Sequence, residues 1–299
     1  MPNPELPFFT YGSFKPRELA FSQIKAFLDR PPVVAEAGGA LKIRDGLPFL
    51  VNAEGAKIDG YLLYFKEGSS SSAYKKICEF EPQTIYCWEI RHLVTPGTQV
   101  NLLIGKVPNG GGADHLEDQT WSFKSDPVFE YGLRVVKDTV TCFSAQEFES
   151  ASPTLFDWSR FFRLQMAYLL LWSAIERFTA FAFGPALKPM KRMKLLGTDH
   201  RFAAAVQHRL PGPSGSVTDS RDPKTEYHLD PANPGECVLY YYQVRSNLSH
   251  RGKSAFRDGN LVRKSLVELL AIFEDMLEFE LSSTAVCKFP IEVTGTPCR

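Results

Sequence analysis

The stretch YYQVRSNLSHRGK (241–253) holds an arginine, an asparagine and a histidine within six residues. Arg245 carries a planar guanidinium that stays charged and can grip two oxygens of a phosphate or carboxylate at once. His250 changes charge near neutral pH and can take or give a proton. Asn247, between them, can steady the imidazole or an anion oxygen. Together they could move protons beside a crowded anionic centre. On one ideal helix, however, five residues at about 100° each leave Arg245 and His250 about 140° apart. A site then needs either a helix that loosens before Gly252 or two such helices meeting across a two-fold axis. The plainer use of both cations is to sit near a helix C-terminus, where positive charge is favoured.

A second stretch, PFFTYGSF (7–14), reads as an apolar strand entering a tight turn. Around these two stretches the chain has 299 residues, 44% of them hydrophobic and 23% charged, as in a globular protein large enough for two domains. The net charge is zero but unevenly placed. Residues 1–150 hold 15 basic and 19 acidic side chains, and the remainder 19 and 15. This supports a split near 150/151 without calling for a polyanionic partner. The six cysteines form no C-x-x-C pair, which argues against a zinc ribbon or redox dithiol. No metal or cofactor is expected. The opening MPNPELPFF lacks the basic start and apolar run of a secretion signal. The most apolar segment, MAYLLLWSAI (166–175), is bounded by Arg163, Glu176 and Arg177, too closely for a membrane span. These features predict a cytoplasmic protein with reduced thiols and no membrane partner.

In chain order, apolar spacing predicts a helix over 17–30, stopped by Pro31-Pro32. Strands follow at 40–46, 48–55 and 59–65, then a serine-capped helix at 69–81. Two strands at 84–94 and 99–107 are joined by a Pro96-Gly97 turn. Residues 109–120 read as a plain polar loop, and 127–142 as a helix. One long apolar helix covers 155–183. A basic helical region covers 188–210, and a long mobile connection 211–236. Two more helices span 236–252 and 260–281, ahead of an extended tail.

The first half resembles the gamma-glutamylcyclotransferase superfamily, through FFTYGSF (8–14), IDGYLLYF (58–65) and ICEFEPQTIYCWEI (77–90). It departs from that pattern at Cys78 and Pro82. The resemblance implies a small twisted mixed β-barrel with helices over 1–150. It also implies a ligand pocket over Tyr11, Gly12, Ser13 and Phe14, whose bare N–H groups would bind a carboxylate or oxyanion. The family's general base falls on Glu81, which would take a proton from a substrate amine. The second half resembles the HEPN superfamily of four-helix proteins, through Arg245-Ser246-Asn247-Leu248-Ser249-His250 and WSAIERF (172–178). That resemblance implies an α+β two-domain protein ending in an all-α four-helix bundle over 151–299. It further implies a homodimer with two motifs facing one cleft, and RNA cleavage without a metal. Arg251, Lys253, Lys191 and Arg192 are the basic residues expected to bind RNA. The function expected is a toxin or antiviral-defence endoribonuclease whose N-terminal domain senses a small ligand, under control of an antitoxin or regulatory partner. The alternatives are a γ-glutamyl enzyme using Glu81 and a non-catalytic ligand-binding protein.

Overall fold

The computed structural model describes residues 1–44, 46–81, 83–94, 96–106, 114–115, 119–143, 157–251 and 259–282, without the side chains of 114, 115, 250, 251 and 280–282. The first half runs through β1 (Phe8–Thr10), two 3-10 turns (Leu19–Gln23 and Lys25–Phe27), β2 (Val33–Gly38), β3 (Ala40–Arg44), β4 (Leu47–Val51) and β5 (Lys57–Leu63). It continues with α1 (Ser70–Phe80), β6 (Tyr86–His92), β7 (Gln99–Gly105), β8 (Asp114–His115), a π-helical turn (Val128–Gly132) and α2 (Leu133–Cys142). The second half holds α3 (Trp158–Phe183), α4 (Pro189–Gly197), α5 (His200–Arg209), β9 (Ser216–Thr218), β10 (Glu226–His228), α6 (Pro234–Arg251) and α7 (Gly259–Ser282).

Five strands form a mixed sheet in the order β2-β5-β1-β7-β6, with β1 antiparallel to β5 and parallel to β7. Among the described residues three others form a separate sheet, in the order β4-β3-β8. The sheets touch where Gly105 faces Phe49: a Cβ there would stand 2.2 Å from the Phe49 ring, so only glycine permits the approach. The expected closed barrel is thus corrected to two open sheets. Closure needs one continuous staggered ladder, and here the ladder is broken between the five-stranded and three-stranded sets.

The helix expected over 17–30 is replaced by the two 3-10 turns. Arg17 sits at φ 72°, a left-handed position from which an α-helix does not start. Strand β2 follows Pro31-Pro32, where only a helix stop was expected. The segment 211–236 contains an antiparallel hairpin, Glu226 to Thr218 through His228 to Ser216, rather than one long loop. Within 109–120, β8 pairs with β3; most of that loop, the tail after 282 and the 150/151 boundary lie outside the described residues.

The spine of the second half is α3. Phe161, Leu164, Tyr168, Leu171, Trp172, Ile175 and Phe178 are buried along it, each contributing about 1.5–3 kcal/mol if apolar and fully removed from water. By length and composition α3 could cross a membrane, with a mean hydropathy of 1.2 over 18 residues, yet half of that window is buried inside the protein. The basic arm is two helices, because Asp199 interrupts it and caps α5 by accepting from the Arg201 N–H at 2.9 Å. Helices α3, α4–α5, α6 and α7 enclose one core, which also takes Leu19, Trp121, Phe123 and Phe129 from earlier in the chain. Helix α2 packs on α3 and α7 from outside.

Candidate functional site

Two places gather the chemistry the sequence points to. In the first, β1 delivers Tyr11, Gly12, Ser13 and Phe14, all buried, to a cavity they share with Pro48, Glu81, Tyr86 and Leu103. Its volume is about 20 Å³. A water needs roughly 10–15 Å³ of such space, so the cavity fits one water and no amino acid. The Tyr11 hydroxyl donates to the Leu103 carbonyl at 2.8 Å and accepts from the Leu50 N–H at 3.1 Å. The Tyr86 hydroxyl donates to the Pro48 carbonyl at 3.0 Å. Phe14 stacks edge-on against Phe8 and Phe80. Burial pushes both phenols up, and each is already tied to the backbone.

Glu81 closes α1, its N–H returning to the Ile77 carbonyl at 3.0 Å. Burial pushes its carboxyl up to about 7, and no hydrogen bond to that carboxyl exists among the described residues. Loss of water explains the shift, since it penalises only the charged form. A carboxyl half-protonated near neutrality is suited to proton transfer.

The second place is the C-terminal half of α6. Arg245 is partly exposed and lies 3.6 Å from the Glu176 carboxylate of α3. Its guanidinium also sits 5.6 Å from the Tyr242 ring centre. Its Nε is buried without a hydrogen-bond partner among the described residues. Long helical side chains lean toward their own N-terminus, which is how Arg245 reaches Glu176. Neighbouring contacts fix α6 on α3: the Tyr168 hydroxyl donates to the Tyr241 carbonyl at 2.9 Å, and the Gln165 amide to the Leu248 carbonyl at 3.2 Å.

Asn247 is occupied elsewhere. Its oxygen accepts from the Ser220 N–H at 3.1 Å and from Gln243 at 2.8 Å, and its nitrogen donates to the Thr218 carbonyl at 3.0 Å. It pins the β9–β10 hairpin to α6. Helix α6 continues to Arg251, so it does not loosen earlier. Arg245 therefore stays on the α3 side, about 160° around the helix from Asn247 and the hairpin. The backbone of His250 comes one turn after Asn247. Its side chain, that of Arg251, and all of Lys253 lie outside the described residues.

Lys191 and Arg192 belong to a different crossing. Helix α4 meets α6 where a Cβ on Gly197 would stand 2.7 Å from the Gly235 Cα. Gly235 precedes Arg245 by ten residues, about 15 Å along the helix. No described contact joins Lys191 or Arg192 to Arg245; Arg192 reaches the Pro185 carbonyl at 3.4 Å. Glu176 was overlooked as a partner, though it is the one acidic residue within α3, and that was the available signal. Among the described residues no three His, Cys, Asp or Glu side chains are grouped to hold a metal ion.

No family model matches the chain, and no curated protein matches it. Among solved structures, the chain is similar to an uncharacterized protein, PH0828, from Pyrococcus horikoshii. The two are 15% identical with a TM-score of 0.31, over 42% of this chain and 96% of that one.

Proposed function

We propose that the protein is a metal-independent endoribonuclease of the toxin or antiviral-defence kind, acting as a homodimer in which two α6 helices face one cleft. The observation that supports this most is Arg245: a partly exposed guanidinium oriented by Glu176 and Tyr242. His250 follows on a helix too regular to bring the two together within one chain. In this reading Arg245 binds the scissile phosphate. His250 takes the 2′-hydroxyl proton or supplies one to the leaving 5′-oxygen. The 2′-oxygen bonds to phosphorus as the P–O5′ bond breaks, leaving a 2′,3′-cyclic phosphate and a 5′-hydroxyl. Asn247 acts as a strut rather than a catalyst. Lys191, Arg192, Arg251 and Lys253 guide the polyanion. The N-terminal half regulates, through a small ligand or a partner such as an antitoxin, and the protein works in the cytoplasm. Incubating RNA with the purified protein in EDTA tests the reading. Cleavage that His250→Ala and Arg245→Ala abolish supports it, and equal cleavage by either variant sinks it.

The Glu81 carboxyl near 7 favours a second reading, a cyclotransferase-like enzyme acting on γ-glutamyl compounds. A cavity of about 20 Å³ would have to open before substrate entered. Release of 5-oxoproline that depends on Glu81 is its test.

A further inference from the structure

Helices α2 and α3 leave an open groove of about 930 Å³ on the outside of the molecule. Val135, Phe162 and Met166 stand at its rim, 54%, 50% and 64% exposed. Large apolar side chains grouped in this way mark a surface that is covered in use. The groove also carries Asp138 and Arg163, of opposite sign, neither ion-paired among the described residues. An acidic or a basic foreign partner would satisfy one of them and repel the other. A second copy related by a two-fold axis offers Arg163 to Asp138 and Asp138 to Arg163 at once.

From this self-complementary pairing we infer that the α2–α3 groove is the surface on which two copies of this chain associate. The position of the groove on α3 gives the association a consequence. At about 100° per residue, Leu169 in the groove lies about 20° around the helix from Glu176 and about 40° from Gln165. Those two residues hold α6. A copy seated on the groove therefore arrives along the edge that carries Arg245. That consequence rests on the proposed nuclease reading; the association itself does not, and it is measured without RNA.

Light scattering on the full chain across a concentration series is the test. The expected result is a dimer that Met166→Glu weakens at least tenfold. The side chain is exposed, so the variant should keep its fold, checked by circular dichroism. The charge swap is stricter: Asp138→Arg and Arg163→Asp each dissociate the dimer, and the double variant restores it. A monomer at every concentration overturns the inference, as does a dimer indifferent to all three changes, or a double variant no better than either single one.

Discussion

The Glu81 pocket and the Arg245 surface place a titratable or charged group beside aromatic rings, yet they solve the problem in opposite ways. Glu81 sits against buried rings with no described hydrogen-bond partner, and its proton affinity rises to about 7. Arg245 stays partly in water and is oriented by a carboxylate and a ring. The first arrangement stores destabilisation in a half-buried, unpaired carboxyl, and the second costs little and keeps a cation available. A carboxyl left without a hydrogen-bond partner is tuned by its surroundings, whereas a paired cation keeps its charge and needs other groups to complete a site.

The largest expected effect tests the open site. General acid–base catalysis is typically worth about 10²–10⁴ in rate, so in the proposed nuclease His250→Ala should slow RNA cleavage by at least about a hundredfold. Arg245→Lys should also fall well short of the parent, because an ammonium lacks the two-pronged fork. If Glu81→Gln slowed cleavage as much, the contrast between the proposed catalytic surface and the Glu81 pocket would fail.

The next effect tests the socket. Unfolded, Glu81 titrates near its ordinary 4.5, and folded near 7. Between those values the folded protein holds the extra proton, so stability falls as pH rises through the window and levels off above it. Glu81→Gln removes the penalty. Its advantage over the parent should be absent near about pH 4 and reach up to about 3 kcal/mol by about pH 8, read as a higher melting temperature. An advantage independent of pH would show that the carboxyl is solvated. Tyr11→Phe should cost about 1–3 kcal/mol at any pH in this range, because it leaves the Leu50 N–H and the Leu103 carbonyl buried and unpaired. A smaller loss in urea unfolding would mean that water enters the cavity.

How much of this was legible depends on distance along the chain. The long helices α3 and α7 were readable because apolar spacing is local and repeats over many turns. The hairpin of β6 and β7 was readable for the same reason, with Gly97 at φ 81° in its turn. The 3-10 turns near Leu19 defeated a helical pattern because one backbone angle at Arg17 decides the outcome. The site divides likewise. Arg245 and Asn247 were named from their types, but their partners lie far off: Glu176 is 69 residues from Arg245, and Thr218 is 29 from Asn247. Type spacing suggested that Asn247 does chemistry, whereas tertiary contact gave it a hairpin to hold. The small cavity under Tyr11 could not be foreseen, because Pro48, Tyr86 and Leu103 arrive from three separate strands or their edges.

The smallest expected effect sharpens the comparison most finely. Arg245 and Glu176 retain 27% and 31% side-chain exposure, and their closest approach of 3.6 Å exceeds ordinary hydrogen-bond length. Such a pair is typically worth under about 1 kcal/mol, since water screens it and two long side chains must be ordered to form it. Glu176→Gln should therefore lower the urea midpoint only slightly, with an unchanged slope. Its effect on RNA cleavage should exceed its effect on stability, because a released guanidinium still carries its charge but no longer keeps its orientation. Rescue by Glu176→Asp should be partial, the shorter arm reaching less far across to α6. A loss of several kcal/mol would instead mean that Arg245 is a structural strut, and that its Nε, unpartnered among the described residues, is not a group waiting for phosphate.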